Sequence, residues 1–289
     1  MKKLSVITVL NTVNYGSALQ TFATQKYFTD KGFEVEFVDY WRKDQKTEAR
    51  IENIKKDKKD SLKKWLKKPI RDFLEIKSIK ASEKVFRGFI TQKINLTSQT
   101  YSSFEELKED CPEADIYVTG SDQMWNSGWN QGIEKSFFLE YVPEDKKRIA
   151  YATSIGKTEF DEKEAKEIIP YIRKYDLITL REQSAVDLLK KYDIESSLVL
   201  DPTLMLGRES WEKYIPRMDN NKKYLLVYQL HNEHADASFD DAVKKIAKHK
   251  KLDIIRVTYS YSDIKVGKKL VLPDVFEFLA LIKNAEFIV

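Results

Sequence analysis

Residues 1–40 of the chain read MKKLSVITVLNTVNYGSALQTFATQKYFTDKGFEVEFVDY. The run from Leu4 to Val9 is short, apolar and rich in β-branched residues, which predicts a buried strand. After a polar loop, apolar residues recur at the spacing of a helix, at Leu19, Phe22, Ala23, Tyr27 and Phe28. Lys31-Gly32 is a helix-stop signal, and Glu34 to Val38 alternates as a second strand. This strand–helix–strand order predicts a parallel sheet and hence an α/β fold.

The same rhythm returns further along the chain in two series. The first contains the apolar runs Asp115–Thr119, Arg148–Ser154, Asp176–Leu180 and Leu198–Leu200. The second contains predicted strands at Tyr224–Leu230, Asp253–Thr258 and Glu286–Val289, separated by predicted helices. We therefore predict an N-terminal α/β domain at 1–202, a linker at 203–221 and a partial C-terminal α/β domain at 222–289.

Residues 42–100 interrupt this pattern and are predicted to form a basic helical insertion in the first domain. Residues 42–93 hold eighteen Lys or Arg against eight Asp or Glu, a local charge of +10 in a chain whose net charge is +4. Pro69 should kink or interrupt a helix whose apolar face carries Leu62, Trp65, Leu66, Ile70, Phe73 and Leu74. The segment is either a solvated flap or a peripheral contact with an anionic membrane.

The composition excludes several classes of protein. Of 289 residues, 42% are hydrophobic and 12% aromatic, enough to fill two cores. The single cysteine, Cys111, excludes an intramolecular disulfide and a Cys-x-x-Cys metal site. The N-terminal apolar run is too short for a signal peptide, and no stretch reaches the ~20 apolar residues of a transmembrane helix. We expect a cytoplasmic protein that does not bind nucleic acid, since no recognition motif accompanies the basic residues.

Polar loops follow several of the predicted strands, and ligands of open α/β sheets bind beyond the carboxyl ends of strands. The loop after the first strand carries Asn14, Tyr15, Gly16 and Ser17, which suit an anion held at a helix N-terminus or an ordinary capped turn. A second loop has a composition that favours a sugar or anion pocket, namely Gly120, Ser121, Asp122, Gln123, Met124, Trp125 and Asn126. The alternative is a turn capped by Asp122 with Trp125 packed in a core.

Two further loops add charge. Arg181 and Glu182 follow the strand that ends at Leu180, and the arginine suits phosphate or carboxylate unless a salt bridge occupies it. Asp201 precedes Pro202 in either a binding loop or a hinge between domains. His231 and His234 make a weak metal case because a third ligand is lacking, and we predict neither a metal nor a cofactor. The Gly-rich nucleotide motifs and Gly-x-Ser-x-Gly are absent from the sequence.

In this order, the motifs resemble those of the polysaccharide pyruvyl transferase family. They are Asn14-Tyr15-Gly16-Ser17, Gly120-Ser121-Asp122-Gln123-Met124-Trp125-Asn126, Ala152-Thr153-Ser154-Ile155-Gly156, Arg181-Glu182-Gln183-Ser184-Ala185 and Asp201-Pro202-Thr203. The resemblance implies two Rossmann-like domains of the glycosyltransferase B type. It also implies transfer of an enolpyruvyl unit, as a pyruvate ketal, from phosphoenolpyruvate to a sugar or lipid-linked oligosaccharide that builds a surface exopolysaccharide.

That reaction needs cations for the donor, an acid for its methylene carbon and a base for the sugar hydroxyl. On the resemblance, we assign Arg181 to the donor and Asp122 and Glu182 to catalysis. The remaining site residues are expected to line the cleft or contact sugar: Asn14, Tyr15, Gly16, Ser17, Gly120, Ser121, Gln123, Trp125, Asn126, Ser154 and Asp201.

The sequence departs from the family pattern after Val289, where the resemblance implies a Ser-Phe/Tyr-His-Gly motif with a candidate catalytic histidine. We expect a truncated second domain and a chain that is inactive by itself. Two other functions stay open at this point. A nucleotide-sugar glycosyltransferase would use the same two-domain cleft, and a non-catalytic relative would bind anionic glycans through the basic segment.

Overall fold

The structure, a computed structural model, describes residues 1–56, 68–218, 223–229, 237–259 and 269–289. The predicted positions Trp65, His231 and His234 lie outside these residues. In the described part of the chain, no helix is both long and apolar enough to span a bilayer.

The chain forms two compact units. Unit 1 comprises Met1–Lys46 and Ile90–Arg208, and unit 2 comprises Thr47–Phe89 and Glu209–Val289. Helices are numbered along the chain as α1 Tyr15–Asp30, α2 Thr47–Lys56, α3 Lys68–Lys93, α4 Phe104–Glu109, α5 Glu162–Ile172, α6 Gln183–Lys190, α7 Pro202–Met205, α8 Arg208–Glu212, α9 Ala237–Lys250 and α10 Val275–Asn284.

Unit 1 is built on a seven-stranded parallel sheet with the order β3-β2-β1-β4-β5-β6-β7. Its strands are β1 Lys3–Ile7, β2 Glu34–Tyr40, β3 Leu96–Tyr101, β4 Ile116–Thr119, β5 Lys147–Thr153, β6 Leu177–Leu180 and β7 Ser197–Leu198. The central strands β1 and β4 are apolar and almost fully buried, as expected for a parallel sheet covered on both faces. The predicted α/β class is confirmed.

Unit 2 contains a second parallel sheet, of four strands, in the order β10-β9-β8-β11. These strands are β8 Tyr224–Tyr228, β9 Asp253–Val257, β10 Lys269–Val271 and β11 Phe287–Ile288. Helix α10 begins with a complete capping box, in which Asp274 and Glu277 each bond the other's backbone N–H. One of the helices predicted between the strands of this series is therefore present before β11.

The basic segment differs from its prediction. Residues 42–100 were expected to belong to the first domain, whereas Thr47–Phe89 groups with unit 2. Aromatic contacts inside unit 2 explain this, because the rings of Phe86 and Phe89 lie 5.8 and 5.1 Å from those of Tyr259 and Phe276. No kink is needed at Pro69, because it lies in the first turn of α3, where a missing N–H removes no helical hydrogen bond.

The predicted linker at 203–221 begins with helical structure. Asp201 caps α7 by accepting a hydrogen bond from the Thr203 N–H at 2.9 Å, and Pro202 is the first helical residue. Helix α7 packs against α1 inside unit 1, and α8 follows it. Residues 219–221 lie outside the described residues.

Candidate functional site

The strand order of unit 1 reverses between β1 and β4. From β1 the chain moves through β2 to β3 on one side, and from β4 it moves through β5 and β6 to β7 on the other. Loops on the two sides of such a switch point diverge, which leaves a crevice beyond the carboxyl ends of the strands. The predicted site loops follow β1, β4, β5 and β6, so the sheet brings them to this one edge.

The loop after β1 is fixed by the start of α1. The Asn14 side chain caps the helix by accepting a hydrogen bond from the Ser17 N–H at 3.2 Å. A Cβ on Gly16 would lie 3.0 Å from Asn14 Oδ1, so glycine keeps this cap unhindered. The Ser17 hydroxyl then donates across the switch point to Asp122 Oδ2 at 2.6 Å. One hydrogen bond thus joins the loops that follow β1 and β4.

Asp122 has an unusual backbone conformation, with φ of +98°. Such a conformation strains any residue other than glycine and persists only where neighbours hold it. Here the Asp122 carbonyl accepts hydrogen bonds from the N–H groups of Met124 and Ser154 at 2.8 and 2.9 Å. Its carboxylate accepts from the Gln123 N–H at 2.8 Å as well as from Ser17. This backbone conformation holds the Asp122 carboxylate at the switch point.

Arg181 lies among three carboxylates. Its NH1 group donates to Asp201 Oδ2 at 2.9 Å and to the Ser121 hydroxyl at 3.3 Å. Its NH2 group lies 3.8 Å from Asp122 Oδ1, and its Nε lies 3.7 Å from Glu182 Oε2. The salt bridge left open by the sequence is therefore present at NH1, while the other two nitrogens are beyond hydrogen-bond distance of their acidic neighbours.

Glu182 stands at the N-cap position of α6, but its carboxylate does not cap that helix. Its Oε1 instead accepts three hydrogen bonds, from the Ser154 hydroxyl at 2.6 Å and from the N–H groups of Ile155 and Gly156 at 3.2 and 3.0 Å. These donors hold the carboxylate in one orientation. Glu182 consequently links the loop after β5 to Arg181.

Gly156 permits this arrangement through its backbone. Its φ is +63°, and an added Cβ would lie 2.7 Å from Asn126 Nδ2 and 3.1 Å from Gln123 Oε1. We expect Gly156→Ala to lower the free energy of unfolding by about 1–3 kcal/mol, measured by urea denaturation, because strain adds to the clash. Gly32→Ala is the matched control, since Gly32 has φ of +86° but open space around it. Equal losses in both variants would contradict a role for the contact with Asn126.

Several predicted contact residues are buried instead. The exposed fraction of Trp125 is 1%. Its indole stacks on Phe138 at 5.7 Å, meets the Tyr175 ring edge-on at 5.2 Å, and donates from Nε1 to the Phe137 carbonyl at 3.1 Å. The indole is therefore a core side chain with almost no surface for a sugar, contrary to the prediction that Trp125 contacts sugar. Tyr15, with no exposed surface, is likewise a core residue.

Other predicted residues hold the site without facing a ligand. A Cβ on Gly120 would lie 3.1 Å from Thr8 Cβ, so tight packing against β1 requires this glycine. Asn126 is buried and donates to Gln123 Oε1 at 2.8 Å, while its own oxygen accepts from the Trp129 N–H. Ser121 is fully buried, and its hydroxyl donates to Asp201 and accepts from Arg181. These positions support the acidic and basic side chains.

A second polar cluster beside the site has no signal in the sequence. Lys157 donates to both oxygens of Glu164, at 2.7 and 2.9 Å, and to the Ser127 hydroxyl at 2.6 Å. Ser127 in turn donates to Glu164, whose exposed fraction is 7%. These residues come from three separate segments, so no spacing could have indicated them. They anchor the loop after β4 to the first turn of α5.

Burial raises the pKa of the Tyr151 hydroxyl on β5, and the neighbouring Tyr27 and Asp201 raise that pKa further, so this phenol keeps its proton at neutral pH. Among the described residues, no group of three or more His, Cys, Asp and Glu side chains has the geometry to hold a metal ion.

The arrangement of motifs around the switch point has a counterpart among known families. The sequence profile described as polysaccharide pyruvyl transferase matches residues 14–289 of the chain. The chain belongs to this family. Membership makes the chain a transferase by family, and the family name points to pyruvyl transfer to polysaccharide. A comparison with curated protein sequences returns no match.

Solved structures with a similar fold are enzymes of a different kind. A protein from Listeria monocytogenes, described as a putative UDP-N-acetylglucosamine 2-epimerase, has a TM-score of 0.53 and 9% identity over 99% of this chain and 73% of its own chain. A UDP-N-acetylglucosamine 2-epimerase from Rickettsia bellii has a TM-score of 0.50 and 12% identity over 100% and 73%. At such identities the likeness shows the fold alone, two Rossmann-like domains resembling the glycosyltransferase B fold, as predicted.

Proposed function

We propose that the chain binds phosphoenolpyruvate at Arg181 and directs its pyruvyl group to a sugar of a surface polysaccharide or its lipid-linked precursor. The observation that carries this proposal is the continuous set of contacts from Ser17 through Asp122 and Arg181 to Asp201 at the switch point. It combines a guanidinium with carboxylates in the crevice where ligands of this fold class bind. Family membership supplies the reaction class.

Arg181 suits the donor because only part of its guanidinium is in use. NH1 is held by Asp201 and Ser121, whereas NH2 and Nε keep distances of 3.8 and 3.7 Å to their nearest carboxylates. Two adjacent nitrogens of a guanidinium match the two oxygens of a carboxylate or phosphate. Asp201 therefore orients the side chain, and the free edge binds an anionic group of the donor.

Asp122 suits the role of base for the acceptor. Its carboxylate is held by Ser17 and Gln123, yet each oxygen has a further lone pair for a sugar hydroxyl. In the proposed step the hydroxyl oxygen bonds to C2 of phosphoenolpyruvate, Asp122 takes the hydroxyl proton, and C3 gains a proton from an acid. The oxygen of a second sugar hydroxyl then bonds to C2 as the C2–O bond to phosphate breaks, and its proton leaves on the inorganic phosphate, which completes the ketal.

Glu182 serves orientation in this scheme. Three donors already occupy its Oε1, so its free oxygen faces Arg181. Its charge keeps the guanidinium edge turned toward the crevice. We further propose a cytoplasmic location, in keeping with a single cysteine and an intracellular donor, and a membrane contact only for acceptors that carry a lipid.

The carboxylate of Asp122 should oppose the donor electrostatically. We expect Asp122→Asn to tighten phosphoenolpyruvate binding by about 3–10-fold at low salt, because it removes one negative charge beside the anion site. Isothermal titration calorimetry measures this change, and 1 M salt should reduce it. Asp187→Asn is the control, since Asp187 pairs with Gln183 on the surface of α6. An unchanged or weaker affinity in Asp122→Asn would contradict donor binding next to Asp122.

Thermal denaturation in the presence of candidate donors tests the function itself. A ligand that binds only the folded state stabilises it by about 2.7 kcal/mol at a concentration 100 times its Kd. We expect phosphoenolpyruvate to raise the melting temperature, and UDP-N-acetylglucosamine to leave it unchanged. Stabilisation by the sugar nucleotide alone would instead favour a nucleotide-sugar enzyme.

A further inference from the structure

Trp129 is the most exposed aromatic side chain in the loop after β4. Its exposed fraction is 62%, compared with 1% for Trp125 four residues earlier. Among the described residues, Trp129 has neither a ring-stacking nor a cation–π partner. Single exposed apolar residues are common, so exposure alone assigns no role. The surroundings of the indole supply the further evidence for a role.

The backbone that carries Trp129 is firmly held. Its N–H donates to the side-chain oxygen of the buried Asn126 at 3.0 Å. The next residue, Asn130, is also buried and donates from its side chain to the carbonyls of Gln123 and Met124, both at 3.0 Å. A buried amide on each side thus fixes the loop while the indole remains in solvent. A ligand that contacts the indole has no loop to order, which lowers the entropic cost of binding.

The same hydrogen bonds connect Trp129 to the candidate site. Asn126 donates to Gln123 Oε1 at 2.8 Å, and the Gln123 N–H donates to Asp122 Oδ1 at 2.8 Å. The preceding residue, Gly128, has no side chain to cover the indole. The indole and the carboxylate therefore belong to one hydrogen-bonded loop of unit 1.

We propose that Trp129 is a stacking platform for one sugar ring of the acceptor. This ring adjoins the sugar unit whose hydroxyls react. An indole face carries negative charge and attracts the polarised C–H groups of a pyranose ring. The polar cluster of Ser127, Lys157 and Glu164 also ties this loop to α5, which adds to its rigidity. This inference rests on the proposed function for its ligand class, a carbohydrate.

Saturation-transfer difference NMR with methyl glycosides of glucose, galactose, mannose and their N-acetylated forms tests the platform. We expect at least one glycoside to bind, Trp129→Ala to weaken it by about 10-fold, and Trp129→Phe, which keeps a ring, to restore most of the affinity. Phosphoenolpyruvate affinity should stay within about 2-fold in both variants, since the side-chain contacts of Arg181 are with Ser121, Asp122, Glu182 and Asp201 and not with Trp129.

The outcomes separate the platform from the proposed function. Equal glycoside affinity in the wild-type protein and Trp129→Ala, or no binding by any glycoside, would overturn the platform. A change of molecular mass in light scattering on Trp129→Ala would also overturn it, because the indole would then cover a second copy of the chain. Sugar binding that depends on Trp129 without any binding of phosphoenolpyruvate would support the platform and refute the donor.

Discussion

Arg181→Ala is expected to weaken phosphoenolpyruvate binding by about 100-fold, because two charge-assisted hydrogen bonds to the donor are lost. Arg181→Lys should weaken phosphoenolpyruvate binding by about 10-fold, since lysine keeps the charge but not the planar guanidinium edge. Isothermal titration calorimetry measures both values. The alanine variant removes the guanidinium that lies 2.9 Å from Asp201, so circular dichroism and a thermal melt must accompany the titration.

Arg173→Ala is the matched control in the same unit. Arg173 is exposed, and its NH2 donates to the Tyr192 carbonyl at 2.6 Å. The control should bind phosphoenolpyruvate like the wild-type protein, because salt screens the electrostatic effect of a charge outside the site. A folded Arg181→Ala protein with wild-type donor affinity would contradict the assignment of Arg181.

Trp125→Ala is expected to lower the free energy of unfolding by about 3–5 kcal/mol, the usual loss when a buried tryptophan is truncated. The indole is buried at 1% exposure, stacked on Phe138 and hydrogen-bonded to the Phe137 carbonyl. The cavity left behind would also separate the loop after β4 from its core. Urea denaturation followed by circular dichroism measures the change, with the transition of unit 1 fitted separately if the two units unfold in two steps.

Trp129→Ala provides the contrast for this measurement. Its side chain is 62% exposed, so we expect its unfolding free energy to change by less than about 0.5 kcal/mol. Trp125 would then contribute to stability, and Trp129 would be left for ligand contact. Losses of similar size in the two variants would show that the indoles are packed alike, contrary to the structure.

Much of the fold follows from local patterns in the sequence. The apolar run after Lys3 predicts a strand that is buried on both faces, as in a parallel sheet covered by helices. The helix that follows places β2 beside β1. The polar loops came together as predicted because all of them follow the carboxyl ends of parallel strands. Ser17 and Asp122, 105 residues apart in sequence, meet for this reason alone.

The packing partners of individual side chains could not be predicted in the same way. Trp125 and Trp129 lie in one polar loop, and their surroundings in sequence are similar. Only the path of the loop, fixed by Asn126 and Asn130, decides that one indole enters the core and the other faces solvent. The basic segment shows the same limit, since the apolar side of α3 indicates burial without indicating which unit covers it.

The charge pairing at Arg181 could be predicted only in part. The sequence left a salt bridge and an anion site as alternatives, and the three neighbouring carboxylates come from the loop after β4, the start of α6 and the cap of α7. No spacing reveals that Asp201 takes NH1 and leaves the other edge with long contacts. The assignment of donor and base residues therefore stays a prediction.

A crystal structure of the protein soaked with phosphoenolpyruvate tests the donor site most directly. We predict that a carboxylate or phosphate oxygen of the ligand lies within about 3 Å of NH2 or Nε of Arg181, with the NH1–Asp201 pair intact. Ligand density away from the edge shared by β1, β4 and β6, with Arg181 still bound only to its carboxylate neighbours, would contradict the proposed site.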